Sequence, residues 1–256
     1  MSDYTIYKEE NLTVETKNEI FQVMTQSFMK NPLIGGYFFR QNEKKVYAFI
    51  KTTVEYYMRL GDIIVCKNED GKIVAVCVLG MPDTEPLSLG SVIKNGMLLD
   101  FIGLIFKVGP SDMKRTLKAA HILEINHIHE PHCYIYMISS VEKGAGRALL
   151  NQVIDTYTQN NVIYFESTVA KNNHEYYKSF GAKPVGETTV GGVSHMFFIF
   201  EKKGNEKKSA NFLKFCFLFF YFFAHCVVVL LISYKNQYVL SVKTNSNNKK
   251  TKTQAA

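Results

Sequence analysis

Apolar positions recur in two rhythms along this chain, and the switches between them mark out its elements. From Thr16 to Lys30, the residues Ile20, Phe21, Val23, Met24 and Phe28 fall on one helical face. Asn31 precedes Pro32 and is biased away from helical geometry, so that helix ends there. Glu43 to Leu60 repeats the helical rhythm, and Gly61 is a natural stop for it. Ahead of both, "DYTIYKEE" alternates as a short strand does. "DIIVCKNEDGKIVAVCVLG" consists of two β-branched runs around Asp70-Gly71 and predicts a hairpin. After the loop "MPDTEP", Leu89 to Val108 reads as one apolar helix. Gly96, Asp100, Gly103 and Lys107 interrupt it too often for a membrane span. Pro110 opens another helix over "SDMKRTLKAAHIL". Then follow a strand at 132–139, a glycine-bearing turn, a helix at 145–159, a strand at 162–168, a helix at 171–179 and a closing hairpin, "KPVGETTVGGVSHMFFIFEKK". Strands and helices alternating in this way predict an α/β layer structure, with a mixed sheet that holds at least one parallel pair.

The pattern changes after residue 201. Residues 202–214 form a polar linker, and Phe215 to Tyr234 is a stretch of twenty residues without Asp, Glu, Lys or Arg, bracketed by Lys214 and Lys235. At about 1.5 Å rise per residue it spans roughly 30 Å, the apolar thickness of a bilayer. A buried C-terminal helix is the competing reading. It would need something to cover it, yet the segment is apolar all round and adjoins a lysine- and asparagine-rich tail at 235–256. A single transmembrane helix at 215–234 is therefore expected, anchoring a domain at 1–201. The start, "MSDYTIYKEENL", has no apolar signal-peptide core, which puts that domain in the cytosol.

Charge then narrows the function classes. The net charge is +7, but from Ala210 onward there are six lysines and no Asp or Glu. Removing those six from the 30 basic residues leaves 24 against 23 acidic ones, so the domain is close to neutral. A nucleic-acid partner is not expected, because a binding domain would carry the basic patch itself. The five cysteines include no Cys-x-x-Cys pair, and Cys66, Cys77 and Cys133 lie in strand-like runs, as buried reduced thiols do.

The candidate chemistry sits where the strand "CYIYMISS" meets "VEKGAGRALL". Gly144 and Gly146 at a strand-to-helix turn let the backbone approach an anion, and the first turn of the helix offers free N–H groups to it. Glycines at such junctions also serve simply to make the turn. The full Gly-x-Gly-x-x-Gly of a dinucleotide fold and the Gly-Lys-Ser/Thr of a P-loop are both missing. In "HIHEPH", His127, His129 and His132 straddle a proline and lack a regularly spaced fourth ligand, so no metal is expected.

Taken in order, "HEPHCYIYMISS", "GAGRALL" and "VIYFESTVAKNNHEYYKSFGAKPVGE" resemble the GNAT superfamily of acyl-CoA N-acetyltransferases, and in particular its small-molecule branch. Asn173, Tyr177 and Gly181 match that family's Asn-x-x-x-Tyr-x-x-x-Gly motif, with Ala182 where Phe is usual. The resemblance extends over residues 4–201 and is strongest over 127–186. It implies a fold in which the strand ending near Ser140 splays from strand 162–168, with the pantetheine of acetyl-CoA in the gap. Backbone groups of Met137, Ile138 and Ser140 would pair with that arm. The diphosphate would take N–H groups of Gly144, Ala145, Gly146 and Arg147, and Asn173 would line the cofactor. Tyr177 would protonate the departing thiolate while staying protonated itself at neutral pH. Glu130 is the first candidate for a base, with His132, Tyr136 and Glu166 beside it. The reaction implied is acetyl transfer from acetyl-CoA to a small-molecule amine, with no metal. The sequence departs from the family pattern at one place. Its loop is several residues short, and Val141-Glu142-Lys143 replace the usual Pro and Gln. A GNAT fold that no longer turns over, serving as a membrane-tethered binding module, is the alternative that this short loop raises.

Overall fold

A computed structural model describes residues 4–84, 87–168 and 173–201. The first half runs β1 (Thr5–Lys8), α1 (Val14–Phe28), a π-helical segment (Pro32–Phe38), α2 (Glu43–Leu60), β2 (Asp62–Lys67) and β3 (Ile73–Gly80). Three helices follow: α3 (Leu89–Lys94), α4 (Leu98–Val108) and α5 (Pro110–Ile125). The rest is β4 (His132–Ser140), α6 (Ala145–Tyr157), β5 (Val162–Thr168), α7 (Asn173–Lys178), β6 (Lys183–Val190) and β7 (Val193–Phe200).

All seven strands join one sheet in the order β1-β2-β3-β4-β5-β7-β6. Neighbours are antiparallel except β4 and β5, the expected parallel pair. Helices cover both faces, which explains why β3 is buried along its whole length. On one face Ile20, Phe21 and Met24 of α1 and Val46, Ile50 and Val54 of α2 pack on Val76, Val78 and Met137, with α4 and α5 contributing Leu104, Val108 and Ala119. On the other, Leu149, Leu150 and Val153 of α6 pack on Cys77, Leu79, Cys133, Ile135 and Phe165. Cys66, Cys77 and Cys133 are buried free thiols, and burial pushes Cys66 and Cys133 each up to about 11.

Two expectations change. The apolar run Leu89–Val108 is two helices, because Gly96 takes a left-handed conformation (φ +68°) and closes α3 before α4 begins. The stop at Asn31-Pro32 is also a start: the Asn31 side chain accepts from the N–H groups of Leu33 and Ile34 at 2.9 Å and caps the π-helical segment. Arg115 of α5 holds that segment by donating to the carbonyls of Tyr37 (3.1 Å) and Phe38 (2.8 Å). The helix expected at 171–179 is described over Asn173–Lys178. The linker, anchor and tail expected at 202–214, 215–234 and 235–256 lie outside the described residues. Among the described residues no helix is long and apolar enough to cross a membrane.

The parallel pair is short. It runs from His132↔Val162 to Ile135↔Phe165 and stops, although β4 continues to Ser140 and β5 to Thr168. On the far side of β4, Val78 pairs with Met137 and Leu79 with Ile135, so Tyr136 is an extra, bulged residue. A bulge bends its strand and increases local twist. This one sits at the first residue past the last β4–β5 pair, and the two strands part there.

Gly61 makes the tight turn from α2 into β2, donating to the Tyr57 carbonyl at 2.8 Å. A methyl group at this position would collide with the carbonyl oxygen of Leu79 on β3. Gly61→Ala is expected to destabilise the fold by about 3 kcal/mol, and to lower Tm by roughly 6–12 °C. Gly71→Ala, at a turn glycine with no atom near enough to clash, should cost only about 1 kcal/mol through its positive φ. Thermal melts of the two variants test the ordering.

Candidate active site

From Tyr136 to Ser140, β4 is paired to β3 on one side only. The backbone groups it turns toward β5 form a free edge to which an extended amide chain can add. Met137, Ile138 and Ser140 lie on this edge, as the sequence implied. At its far end begins α6, whose N-cap is Gly144 (φ +94°), with no side-chain cap. The first-turn N–H groups of Ala145, Gly146 and Arg147 therefore have no partner within the helix. Gly146 lies close against Ser140, and an added Cβ would come within 3.1 Å of the Ser140 Cβ.

The short loop between them is tied back toward the other strands. Val141 N–H donates to the Val74 carbonyl at 2.9 Å. Tyr4 Oη lies 2.9 Å from both Glu142 Oε1 and the Lys143 carbonyl, and Asn68 Nδ2 donates to Glu142 Oε2 at 3.2 Å. The Glu142 carboxylate is thus engaged by partners near β1 and the β2–β3 turn. The Arg147 side chain packs on aromatic rings. Its guanidinium lies 4.8 Å from the Phe180 ring centroid and 5.5 Å from that of Tyr176, a cation–π clamp between α6 and the α7 region. Asn173 Nδ2 donates to the Thr168 carbonyl at 3.2 Å, fixing α7 to the end of β5.

Tyr177 is carried by α7 and packs edge-on against Phe165 of β5, with ring centroids 4.8 Å apart, and against Phe198 of β7 at 5.8 Å. Burial raises its phenol above the ordinary value, and Tyr176 and Cys77 add to this, while a hydrogen bond with Ser167 opposes it. Ser167 is on β5, two residues past the last β4–β5 pair. Tyr177 remains a proton donor at neutral pH.

A second cluster occupies the opposite face of β5. Side chains alternate along a strand, and Phe165 and Ser167 face α6 and α7 while Tyr164 and Glu166 face the α1–α2 layer. The Glu166 side chain is 12% exposed. Its Oε1 lies 3.5 Å from Tyr134 Oη and 3.7 Å from His127 Nδ1. Tyr136 stacks on Tyr57 of α2, with centroids 4.2 Å apart, and Tyr134, Tyr164 and His127 pack mutually edge-on or tilted. Burial, then a neighbouring phenol or Glu166, raises Tyr57, Tyr134 and Tyr164 well above the usual phenol value. Burial also raises Tyr136 to about 12, against a hydrogen bond with Thr53. These phenols stay protonated, and Glu166 is the carboxylate that faces them. Buried Tyr164 Oη and His195 Nε2 have no protein hydrogen-bond partner among the described residues. Buried polar atoms without partners mark places where water or a ligand supplies the bond.

Glu130 requires a correction. It is exposed at the head of β4, and what it presents to His132 Nδ1 is its backbone carbonyl, at 2.6 Å. It precedes the first residue of β4 by two positions and Tyr136 by six. The acidic group that the fold brings to the parting is Glu166. Its signal in the sequence is a charge inside the apolar strand "VIYFEST", which had weight only as one of several candidates. Of the three histidines, His127 and His132 meet each other (Nε2···Nε2 2.9 Å), and His129 is exposed.

No protein-family model matches the sequence, and no curated protein matches it. Solved structures do match in fold. A Corynebacterium glutamicum protein described as histone acetyltransferase HPA2 and related acetyltransferase is 21% identical with TM-score 0.59, over 81% of this chain and 100% of that one. Arylalkylamine N-acetyltransferase 2 from Aedes aegypti is 11% identical with TM-score 0.53, over 77% of this chain and 97% of that one. The chain therefore has the acyl-CoA N-acetyltransferase fold that its motifs implied.

The two depressed imidazoles give a pH prediction. Burial lowers His132, with the Glu130 carbonyl opposing it, and burial lowers His195, with Glu166 opposing it. An unfolded histidine protonates near 6.5, so just below pH 6.5 the unfolded chain binds more protons than the folded one. Stability therefore rises with pH through this window and is lost as pH falls below about 6.5. Tm should drop between pH 7 and 5.5, and His195→Gln should flatten that slope. A slope unchanged in the variant would show that His195 does not resist protonation.

Proposed function

We propose that this chain is an N-acetyltransferase that moves the acetyl group of acetyl-CoA to the amine of a small molecule. The observation that carries this reading is the parting of β4 and β5, which leaves a free strand edge running to an uncapped helix start. An amide-bearing arm ending in a diphosphate needs those two features in that order. The residues present fit it: Met137 to Ser140 offer backbone partners, and Gly144, Ala145, Gly146 and Arg147 offer N–H groups to the phosphates. With Arg147 clamped on Tyr176 and Phe180, phosphate binding rests on the backbone.

The thioester supplies an activated acetyl carbon. A protonated amine entering from the α1–α2 face meets an aromatic wall of Tyr57, Tyr134, Tyr136 and Tyr164 with Glu166 at its base. Rings and carboxylate both attract a cation. Glu166, with His127 beside it, takes the ammonium proton and passes it to solvent, which frees the lone pair for attack; it takes the second proton as the C–N bond forms and releases that one to solvent too. On the other face of β5, Tyr177 donates a proton to the sulfur as the C–S bond breaks, and regains one from solvent. The aromatic wall favours amines with an aromatic or apolar body. The Aedes protein of this fold, named as an arylalkylamine N-acetyltransferase, is consistent with that preference.

Acetyl-CoA at one hundred times Kd should stabilise the chain by about 2.7 kcal/mol, a Tm rise of roughly 5–11 °C for this size. No rise at millimolar acetyl-CoA would overturn the proposal and leave a binding module. With an arylalkylamine acceptor, Glu166→Gln should lower kcat/KM by roughly 10²–10³-fold, with the acetyl-CoA Tm shift preserved. Glu130→Gln should leave the rate within about twofold, since its carboxylate lies far from the gap. Tyr177→Phe should lower kcat by at least roughly tenfold, with cofactor binding retained.

A further inference from the structure

We propose that α4, with the end of α3, is a second membrane contact, and that this face of the domain lies on the bilayer to which the apolar segment 215–234 is expected to tether it. The proposal rests on that tether and is independent of catalysis. The observation is an apolar face turned to solvent. Leu99 is 79% and Phe106 81% exposed, and Leu98, Ile102 and Ile93 of α3 are 38%, 39% and 53% exposed. On α4 the spacing 98, 99, 102, 106 is that of one helical face. The opposite side packs inward through Leu104 and Val108, while Asp100 and Lys107 take the strip between. The helix is thus apolar on its buried side and apolar again on its outer side. A soluble domain rarely leaves such a patch uncovered.

Two features select a bilayer as what covers it. The chain itself contains a span-length apolar segment, Phe215–Tyr234, bracketed by Lys214 and Lys235. Exposed lysines also accompany the patch. Lys94 ends α3, Lys107 is in the last turn of α4, and Lys114 and Lys118 are exposed on α5. Asp112, the acidic group in the first turn of α5, is already engaged at 2.6 Å by both Lys45 and Arg115. Apolar side chains with lysines beside them are the composition of a helix lying in the interface of an anionic membrane. The patch is also close to the aromatic wall. Phe101, on α4, meets Tyr56 edge-on at 6.4 Å, Tyr56 meets Tyr57 at 5.3 Å, and Tyr57 stacks on Tyr136. A seated α4 would hold the amine side of the gap near the lipid surface.

The chain contains no tryptophan, so single substitutions report position without background. Full-length chains carrying Phe106→Trp, Phe223→Trp in the tail segment, or Asn151→Trp on the exposed side of α6 would be reconstituted into phosphatidylcholine vesicles containing phosphatidylglycerol, with or without brominated acyl chains. The expected result is that Phe106→Trp is blue-shifted and loses emission to bromolipid by a fraction comparable to Phe223→Trp, while Asn151→Trp does not. Quenching of Phe223→Trp alone would overturn the α4 contact and spare the anchor. A blue-shifted but unquenched Phe106→Trp would also overturn it, showing the patch covered by the chain's own tail, or by a second copy if the shift depends on concentration. A chain that does not associate with the vesicles at all would overturn it together with the tether. None of these readings depends on acetyl transfer.

Discussion

The structure depends on where one pair of parallel strands stops. β4 and β5 pair for four residues each, through Ile135↔Phe165, and a bulge at Tyr136 then carries β4 away. The free edge of β4, Glu166 and Ser167 all follow within two residues of that point. Past it, β4 has a free edge and β5 presents successive side chains to alternate faces of the sheet. Glu166 goes to one face, and Ser167, with Tyr177 against it, goes to the other. A group seated in the gap is therefore flanked by a carboxylate on one side of the sheet and a phenol on the other. In the proposed reaction, an amine that must lose a proton approaches the acetyl carbon from one face, and a thiolate that must gain one departs toward the other. A cleft that passes through a sheet separates the two proton transfers without a flexible loop.

Electrostatics sharpens the division of labour. Burial keeps the phenols around Glu166 protonated, so the negative charge on that face is concentrated on one carboxylate. His132 is held below its ordinary value, and the carbonyl of Glu130 at its Nδ1 fixes the proton there. Its Nε2 is then an acceptor for His127, whose other nitrogen faces Glu166.

Much of this was legible in the chain, for identifiable reasons. The helical rhythm of 43–60, the hairpins and the strand–glycine–helix junction are local patterns, and they fold where local physics puts them. The break inside 89–108 was missed because its apolar residues continue across Gly96, and hydropathy does not reveal a left-handed glycine. The π-helical segment was missed because Asn31-Pro32 reads equally well as a stop and as a cap. Tyr177 was legible through a motif. The choice of Glu166 over Glu130 was not, since it depends on the register of β4 against β5. That register is a long-range property, and it decides which acidic residue reaches the gap and which stays at the exposed end of a strand.

The short loop is the place where this chain departs from the pattern of its fold, and the structure indicates how the departure is accommodated. A carboxylate beside a diphosphate would oppose binding, yet Glu142 is held by Tyr4 and Asn68, groups supplied by β1 and the β2–β3 turn. Arg147 is committed to Tyr176 and Phe180, where it braces α6 against the α7 region. The side chains at the loop thus serve to hold the walls of the gap. In the proposed reading, anion binding falls to the backbone N–H groups at the start of α6, where the partial charge of the helix end is available without any side chain. A site built this way gives up charge-assisted contacts, and it depends the more on the strand edge from Tyr136 to Ser140, whose geometry the bulge fixes.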